Sequence, residues 1–124
     1  MSAQANKESA EAAYRAFAAG DAATAMEDMK DEVVWIARGH SSLSGTYRGK
    51  EEVASLWVKL GGKGLKTEPH DFIADGDKVV VLTTVTLDGE SDEAADVLTY
   101  DDEGKLVAFD QLGDPAIADR LFPQ

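Results

Sequence analysis

Two kinds of hydrophobic pattern divide the chain into a helical first half and a β-rich second half. Residues 6–19, "NKESAEAAYRAFAA", place their apolar side chains on one stripe with helical spacing, and Gly20 is a typical residue just beyond a helix end. A short second helix is predicted from Asp21 to about Met29. The segment "KEEVASLWVKL" has the i, i+3, i+4, i+7 pattern of a third helix, with one apolar stripe: Val53, Leu56, Trp57 and Leu60.

The remaining apolar segments have the pattern of β-strands. "EVVWIA" is predicted to form a strand between the second and third helices, and "RGHSSLSGTYRG" is predicted to form a loop. After "GGKG" come four strands, "LKTEPHDFIA", "DKVVVLTTVTL", "DEAADVLTY" and "KLVAFDQL", separated by the turn sequences "DGD", "DGES" and "DDEG". Asp114 and Pro115 are suited to begin a short last helix. This order predicts one α+β domain, residues 1–124, with three N-terminal helices packed on a curved antiparallel sheet that forms a cup.

Alternation along two of the strands indicates which side chains face the cup. Asp96, Leu98 and Tyr100 share one face of their strand, and Phe109 and Gln111 share one face of the last strand. A carboxyl group buried in such a cup has a raised pKa and can orient or stabilise a ligand oxygen. The alternative for Asp96 is a solvated acid at the strand edge, or one that caps a nearby amide. The residues predicted to contact a ligand are mostly aromatic or apolar: Tyr14, Phe17, Trp35, Trp57, Phe72, Leu98, Phe109 and Gln111.

His40 is predicted to be the proton-transferring partner of Asp96. It lies in the Gly/Ser loop near the expected mouth of the cup, and histidine is the most frequent general base in enzymes. The alternative is a histidine on the surface of that loop.

Composition narrows the possible functions. The chain has 44% hydrophobic residues, no cysteine, and 24 acidic against 12 basic residues, for a net charge of −12. This charge disfavours nucleic acids and anionic membranes as partners, and no apolar run is long enough to span a bilayer. The two histidines lack metal-binding spacing, so neither a metal nor another cofactor is predicted. The expected location is the cytoplasm.

The order and spacing of four segments resemble the nuclear transport factor 2-like (NTF2-like) superfamily, which includes SnoaL-like polyketide cyclases, ketosteroid isomerases and limonene epoxide hydrolases. The segments are "YRAFAAGDAATAMEDMKDEVVWIARG", "SGTYRGKEEVASLW", "HDFIADGDKVVV" and "DVLTYDDEGKLVAFDQLGDP". The resemblance implies a cone-shaped, cystatin-like fold and a homodimer. Because this fold hosts several chemistries, the resemblance alone does not define the reaction.

The resemblance to ketosteroid isomerases implies roles for some residues of this chain. At other aligned positions the catalytic residue of those enzymes is absent. Asp96 matches the acid of the oxyanion hole, which an apolar site keeps neutral in those enzymes, and Trp57 matches an aromatic residue of the pocket wall. The general base falls at about Ala37, which cannot accept a proton. The helical tyrosine of the oxyanion hole aligns with Ala13, so that Tyr14 is expected about 100° away around the helix. Isomerase chemistry of that type is therefore not predicted.

The SnoaL-like branch remains the nearest match, through His70-Asp71 and Asp114-Pro115. The epoxide hydrolase pattern needs charged residues in the central strand, where this chain has "VVVLTTVTL". The main hypothesis is a small-molecule pocket protein that acts on or holds an apolar, carbonyl-bearing compound. If the protein is an enzyme, the expected reaction is an isomerase- or cyclase-like proton transfer. The alternatives are a binder of an apolar ligand without catalysis and a dimerising module without a ligand.

Overall fold

The structure is a computed structural model that describes residues 2–124. These residues contain four helices and one six-stranded sheet. In chain order the elements are α1 (Ala3–Ala18), α2 (Ala22–Ala25), β1 (Met29–Ala37), β2 (Gly45–Arg48), α3 (Lys50–Gly61), β3 (Lys66–Asp75), β4 (Lys78–Leu87), β5 (Glu90–Tyr100), β6 (Leu106–Gly113) and α4 (Ala116–Leu121). The helices are packed on a curved sheet, so the α+β class predicted from the sequence is confirmed.

The strand order across the sheet is β2-β1-β6-β5-β4-β3. β3 to β6 form the predicted antiparallel meander, in which Asp96 lies between Val81 of β4 and Gln111 of β6. The pair β1–β6 is parallel, so the prediction of a wholly antiparallel sheet is wrong and the sheet is mixed. The first strand thereby enters the sheet beside the last one, and both deliver side chains to the same concave face.

Two segments near the N-terminus differ from their predicted structure. The second helix ends at Ala25, and Met29 already begins β1. Asp21 caps this single turn, because its carboxylate accepts hydrogen bonds from the backbone N–H and the hydroxyl of Thr24. The predicted loop 38–49 contains the short edge strand β2, which pairs with the second half of β1.

The core lies between α1, α3 and the concave face of the sheet. Its buried side chains come from helices and strands alike: Ala10, Met29, Val33, Val53, Val79, Val81, Leu98, Tyr100, Leu106 and Phe109. Register shifts between Pro69 and Asp71 in β3 and between Thr99 and Tyr100 in β5 mark irregular points of the sheet. Such bulges bend and twist strands. The bent sheet and the helices leave a space between them that the core does not fill.

Candidate functional site

An apolar cavity of about 210 Å³ occupies the space between the helices and the sheet. α1, α3, β1, β5, β6 and α4 all contribute to its wall. Predicted ligand-contacting residues that line it are Tyr14, Phe17, Trp35, Trp57, Leu98, Phe109 and Gln111, together with Asp96. The alternation on β5 and β6 explains this convergence, since neighbouring strands present their inward residues side by side.

Asp96 carries the only described carboxyl group in the buried class, with 1% of its surface exposed. The Tyr14 hydroxyl donates a short hydrogen bond to its Oδ2 atom. The Gln111 side-chain amide donates to Oδ1 over 2.8 Å. Both carboxyl oxygens therefore accept from neutral donors, and none of the ion pairs among the described residues involves Asp96.

Burial and hydrogen bonding act on Asp96 in opposite directions. Burial raises the pKa of the Asp96 carboxyl, and the hydrogen bonds from Tyr14 and Gln111 lower it, with burial dominating. Burial and the neighbouring Asp96 also raise the pKa of the Tyr14 phenol well above its usual value. Tyr14 therefore keeps its proton at neutral pH, whereas Asp96 is biased toward taking one up.

Four aromatic rings form one side of the cavity. Trp35 stacks on Phe109 with ring centroids 3.6 Å apart and an interplanar angle of 11°. Trp57 meets Trp35 and Phe17 edge to face, at 5.6 and 4.8 Å. Such rings present a flat apolar surface that suits an aromatic or alicyclic ligand.

Phe72 does not line the cavity, contrary to the prediction. Its ring packs edge to face against Tyr14, with centroids 5.5 Å apart. Phe72 lies on the edge strand β3, which packs against α1. It therefore contacts the tyrosine that donates to Asp96 instead of the cavity itself.

His40 is exposed and absent from the cavity wall, so its predicted place over the mouth is wrong. The loop that carries it is fixed to the C-terminal segment. The His40 backbone N–H donates to the Asp119 carboxylate over 2.8 Å, and the Ser42 N–H donates to the Phe122 carbonyl over 2.7 Å. Gly39 lies so close to Pro115 that an added Cβ would be 2.6 Å from the proline Cβ. These contacts hold the loop with the imidazole outside.

The resemblance aligned the tyrosine of the oxyanion hole with Ala13, but in the structure Tyr14 makes the hydrogen bond to Asp96. Tyr14 follows the fully buried Ala10 by four residues, so both lie on the helix face that meets the sheet. The helical stripe in the sequence therefore contained the signal, and the family alignment misplaced it by one residue. Ala37 does line the cavity, and its methyl group cannot act as a base.

Several charged and polar residues of the wall were not predicted as site residues. Asp92, Glu93 and Asp114 are exposed lining residues and mark the mouth. Arg38 lies in the wall as well, but its guanidinium binds Asp110 through two hydrogen bonds of 2.7 Å. Asp28 and Tyr100 also line the cavity, at the end where β5 finishes. Because acidic residues are frequent in this chain, composition gave no reason to select these.

Residues 2–124 contain no cluster of three or more His, Cys, Asp or Glu side chains arranged to hold a metal ion. Within the same residues, no helix is long and apolar enough to cross a membrane.

The curved mixed sheet, the helices packed on it and the internal cavity define a protein of the cone-shaped, NTF2-like class, as the sequence predicted. A model of the SnoaL-like domain family matches residues 10–109. The chain therefore belongs to the SnoaL-like domain family. A comparison with curated proteins finds no match.

Solved structures with the same fold cover nearly the whole chain. An NTF2-like protein of unknown function from Burkholderia pseudomallei is 26% identical, covers 100% of both chains and has a TM-score of 0.83. A protein with a cystatin-like fold from Xanthomonas campestris is 22% identical, with 92% and 94% of the two chains covered and a TM-score of 0.82. TerC, co-crystallised with polyporic acid, is 24% identical, with 94% and 97% covered and a TM-score of 0.81.

Proposed function

We propose that this protein binds an apolar, carbonyl-bearing small molecule in its cavity and transfers a proton on it through Asp96. The observation that supports this proposal is a buried carboxyl group, held by two neutral donors, in a cavity with aromatic walls. Folding does not select such an arrangement for stability, because a buried carboxylate without a cation is costly. We infer that this carboxyl group is buried, despite the energetic cost, because it exchanges a proton with a ligand.

The proposed reaction begins with Asp96 ionised. Its carboxylate accepts a proton from the carbon next to the ligand carbonyl, and the C–H electron pair becomes that of an enolate. The protonated Asp96 then returns the proton to another carbon of the same ligand, which completes an isomerase-like shift. The raised pKa brings the acid closer to the pH at which both steps proceed. Tyr14 and Gln111 keep the carboxyl group in place throughout.

Asp96 replaces His40 as the proposed proton carrier, since the imidazole lies outside the cavity. The co-crystallisation of TerC with polyporic acid gives limited support, because it shows an organic acid with a protein of this fold. We extend only the general kind of ligand, a small organic molecule, from that protein to this one.

The first experiment is a thermal-shift screen with steroids, polyketide-like aromatics and terpenoids. Ligands that bind the native state raise the melting temperature by mass action. Each hit is then incubated with the protein in D2O, and deuterium uptake next to its carbonyl is measured by mass spectrometry. We expect exchange with the wild type, and a loss of roughly 100-fold or more in Asp96→Asn. Asp71→Asn, an exposed acid on β3, is the matched control.

Two results would contradict this proposal. No shift with any ligand class would remove the binding function altogether. A rise in melting temperature without deuterium uptake would favour the second hypothesis, a ligand binder without catalysis. The absence of a general base at Ala37 makes this the main alternative.

We also propose that the outer face of the sheet pairs with a second copy of the chain. Three of the four exposed large apolar side chains, Ile73, Leu82 and Leu112, lie on strands and point away from the core. Leu82 and Leu112 share one row across the sheet, separated by Ala95. Leu82→Glu is expected to convert a dimer to a monomer in sedimentation experiments, while Val58→Glu, an exposed residue of α3, is the control. A monomeric wild type would contradict the proposal.

A further inference from the structure

The Tyr100 side chain is largely buried in the cavity wall, and its hydroxyl has no hydrogen-bond partner among residues 2–124. The residue is 4% exposed and lines the cavity. Its backbone N–H donates to the Asp77 carbonyl over 2.8 Å, but its phenol forms no hydrogen bond with any of residues 2–124. Among the described residues, the fully buried side-chain oxygen without a partner is Asn6 Oδ1, so the Tyr100 oxygen keeps some accessible surface. Because Tyr100 lines the cavity and a tyrosine hydroxyl usually has a hydrogen-bond partner, a ligand group in the cavity is a suitable partner.

Asp28 gives this end of the cavity a negative charge. It lies in the cavity wall together with Ser9, and its carboxylate is exposed, 3.9 Å from the Lys105 ammonium. Burial and the Asp28 charge together raise the pKa of Tyr100, so the phenol keeps its proton. An anionic acceptor beside a neutral hydroxyl favours ligand groups that donate hydrogen bonds, and it repels carboxylates.

The two polar positions of the cavity lie on one strand face with an apolar residue between them. Asp96 and Tyr100 are four residues apart on β5, which separates their Cα atoms by about 13 Å at about 3.3 Å per residue. Leu98, 3% exposed, lies midway. A ligand that contacts both positions therefore has an apolar body with a polar group at each end.

We propose that Tyr100 and Asp28 form a second polar subsite, which binds a hydroxyl or amine at the far end of a ligand whose other polar group lies at Asp96. This inference rests on the proposed binding function of the cavity. It adds the substrate class: two-ended, protic at one end, and without a carboxylate there.

The test uses three rigid probes with the same two-ring body: para-hydroxybiphenyl, para,para′-dihydroxybiphenyl and para′-hydroxybiphenyl-para-carboxylic acid. Dissociation constants are measured by quenching of tryptophan fluorescence, since Trp35 and Trp57 line the cavity. For the wild type, the diol is expected to bind roughly 3- to 10-fold more tightly than the mono-ol, as one added hydrogen bond provides. The acid is expected to bind more weakly than the mono-ol.

Tyr100→Phe removes the hydroxyl and leaves the ring. It is expected to bring the diol and the mono-ol to within about 2-fold of each other, because the diol loses the added hydrogen bond. Its melting temperature is expected to match the wild type, because no protein hydrogen bond is lost. Tyr47→Phe is the matched control, since the Tyr47 hydroxyl donates to the Leu43 carbonyl and lies outside the cavity wall. Asp28→Asn is expected to improve binding of the acid alone.

A preference for the diol that persists in Tyr100→Phe would overturn the inference, as would equal binding of all three probes to the wild type. In both cases the cavity still binds ligands, so the ligand-binding part of the proposed function is not contradicted. If no probe binds, the proposed binding function and this inference are both contradicted.

Discussion

Replacing Tyr14 with phenylalanine removes one of the two hydrogen-bond donors to Asp96 while the ring packing on Phe72 stays in place. The Asp96 carboxyl then keeps only the Gln111 amide as donor. A hydrogen bond to a charged group contributes about 1.5–3 kcal/mol, and one between neutral groups about 0.5–1.5 kcal/mol. The cost of the substitution therefore depends on whether Asp96 is ionised.

The pH dependence follows from the direction of the Asp96 shift. The folded-state pKa lies above the unfolded value, so the folded protein holds the proton more tightly and stability falls as pH rises through this window. The Tyr14 hydrogen bond lowers the folded pKa. Its loss raises that pKa further and widens the window in which stability falls. Tyr14→Phe is therefore expected to cost about 1 kcal/mol at pH 4 and about 2–3 kcal/mol at pH 8.

Thermal unfolding followed by circular dichroism measures this difference. For 124 residues, an unfolding entropy of about 2.1 cal/mol/K per residue gives roughly 4 °C per kcal/mol. The melting temperature is then expected to fall by about 4 °C at pH 4 and by about 8–12 °C at pH 8. Tyr47→Phe, which loses a bond to a neutral carbonyl, is the control and is expected to show equal losses at both pH values. A loss in Tyr14→Phe that does not grow with pH would refute the reasoning.

Three further substitutions test other parts of the structure by urea unfolding. Asp96→Asn is expected to exceed the wild type in stability at pH 8, by about 1.4 kcal/mol for each unit by which the Asp96 pKa is raised, with no gain at pH 4. Arg38→Ala is expected to cause a small loss of stability at pH 7, because its ion pair with Asp110 is exposed to solvent. Because Arg38 lowers the pKa of Asp110, this cost is expected to vanish as pH falls through that pKa. Gly39→Ala is expected to cost about 1–3 kcal/mol, since φ is +112° and the new Cβ meets Pro115.

Local patterns in the sequence were sufficient for most of the fold and for the position of Asp96. Alternation on β5 fixes the side to which residue 96 points, because a strand has only two faces. The parallel pairing of β1 with β6 could not be predicted in this way. Both strands have apolar residues, and the pattern within a strand does not indicate which strand lies beside it. β2 is four residues long and becomes a strand only through its pairing with β1.

Contacts between distant parts of the chain explain the position of His40 and the pairing of Tyr14 with Asp96. The position of His40 depends on Asp119, 79 residues later in the chain, and nothing within the loop itself indicates that contact. The pairing of Tyr14 with Asp96 spans 82 residues. Here a local signal exists as well, because Tyr14 lies four residues after the buried Ala10, on the helix face that meets the sheet.

The proposed proton transfer at Asp96 accounts for the neutrality of its two donors. An arginine or lysine in place of Gln111 would form an ion pair, lower the pKa of the acid and keep it ionised at neutral pH. Tyr14 and Gln111 satisfy the carboxyl oxygens and still leave burial as the larger effect on the pKa. The acid is thus positioned without being neutralised by a charge. A group that is to release and regain a proton needs this balance, whereas a purely structural acid would be more stable with a cationic partner.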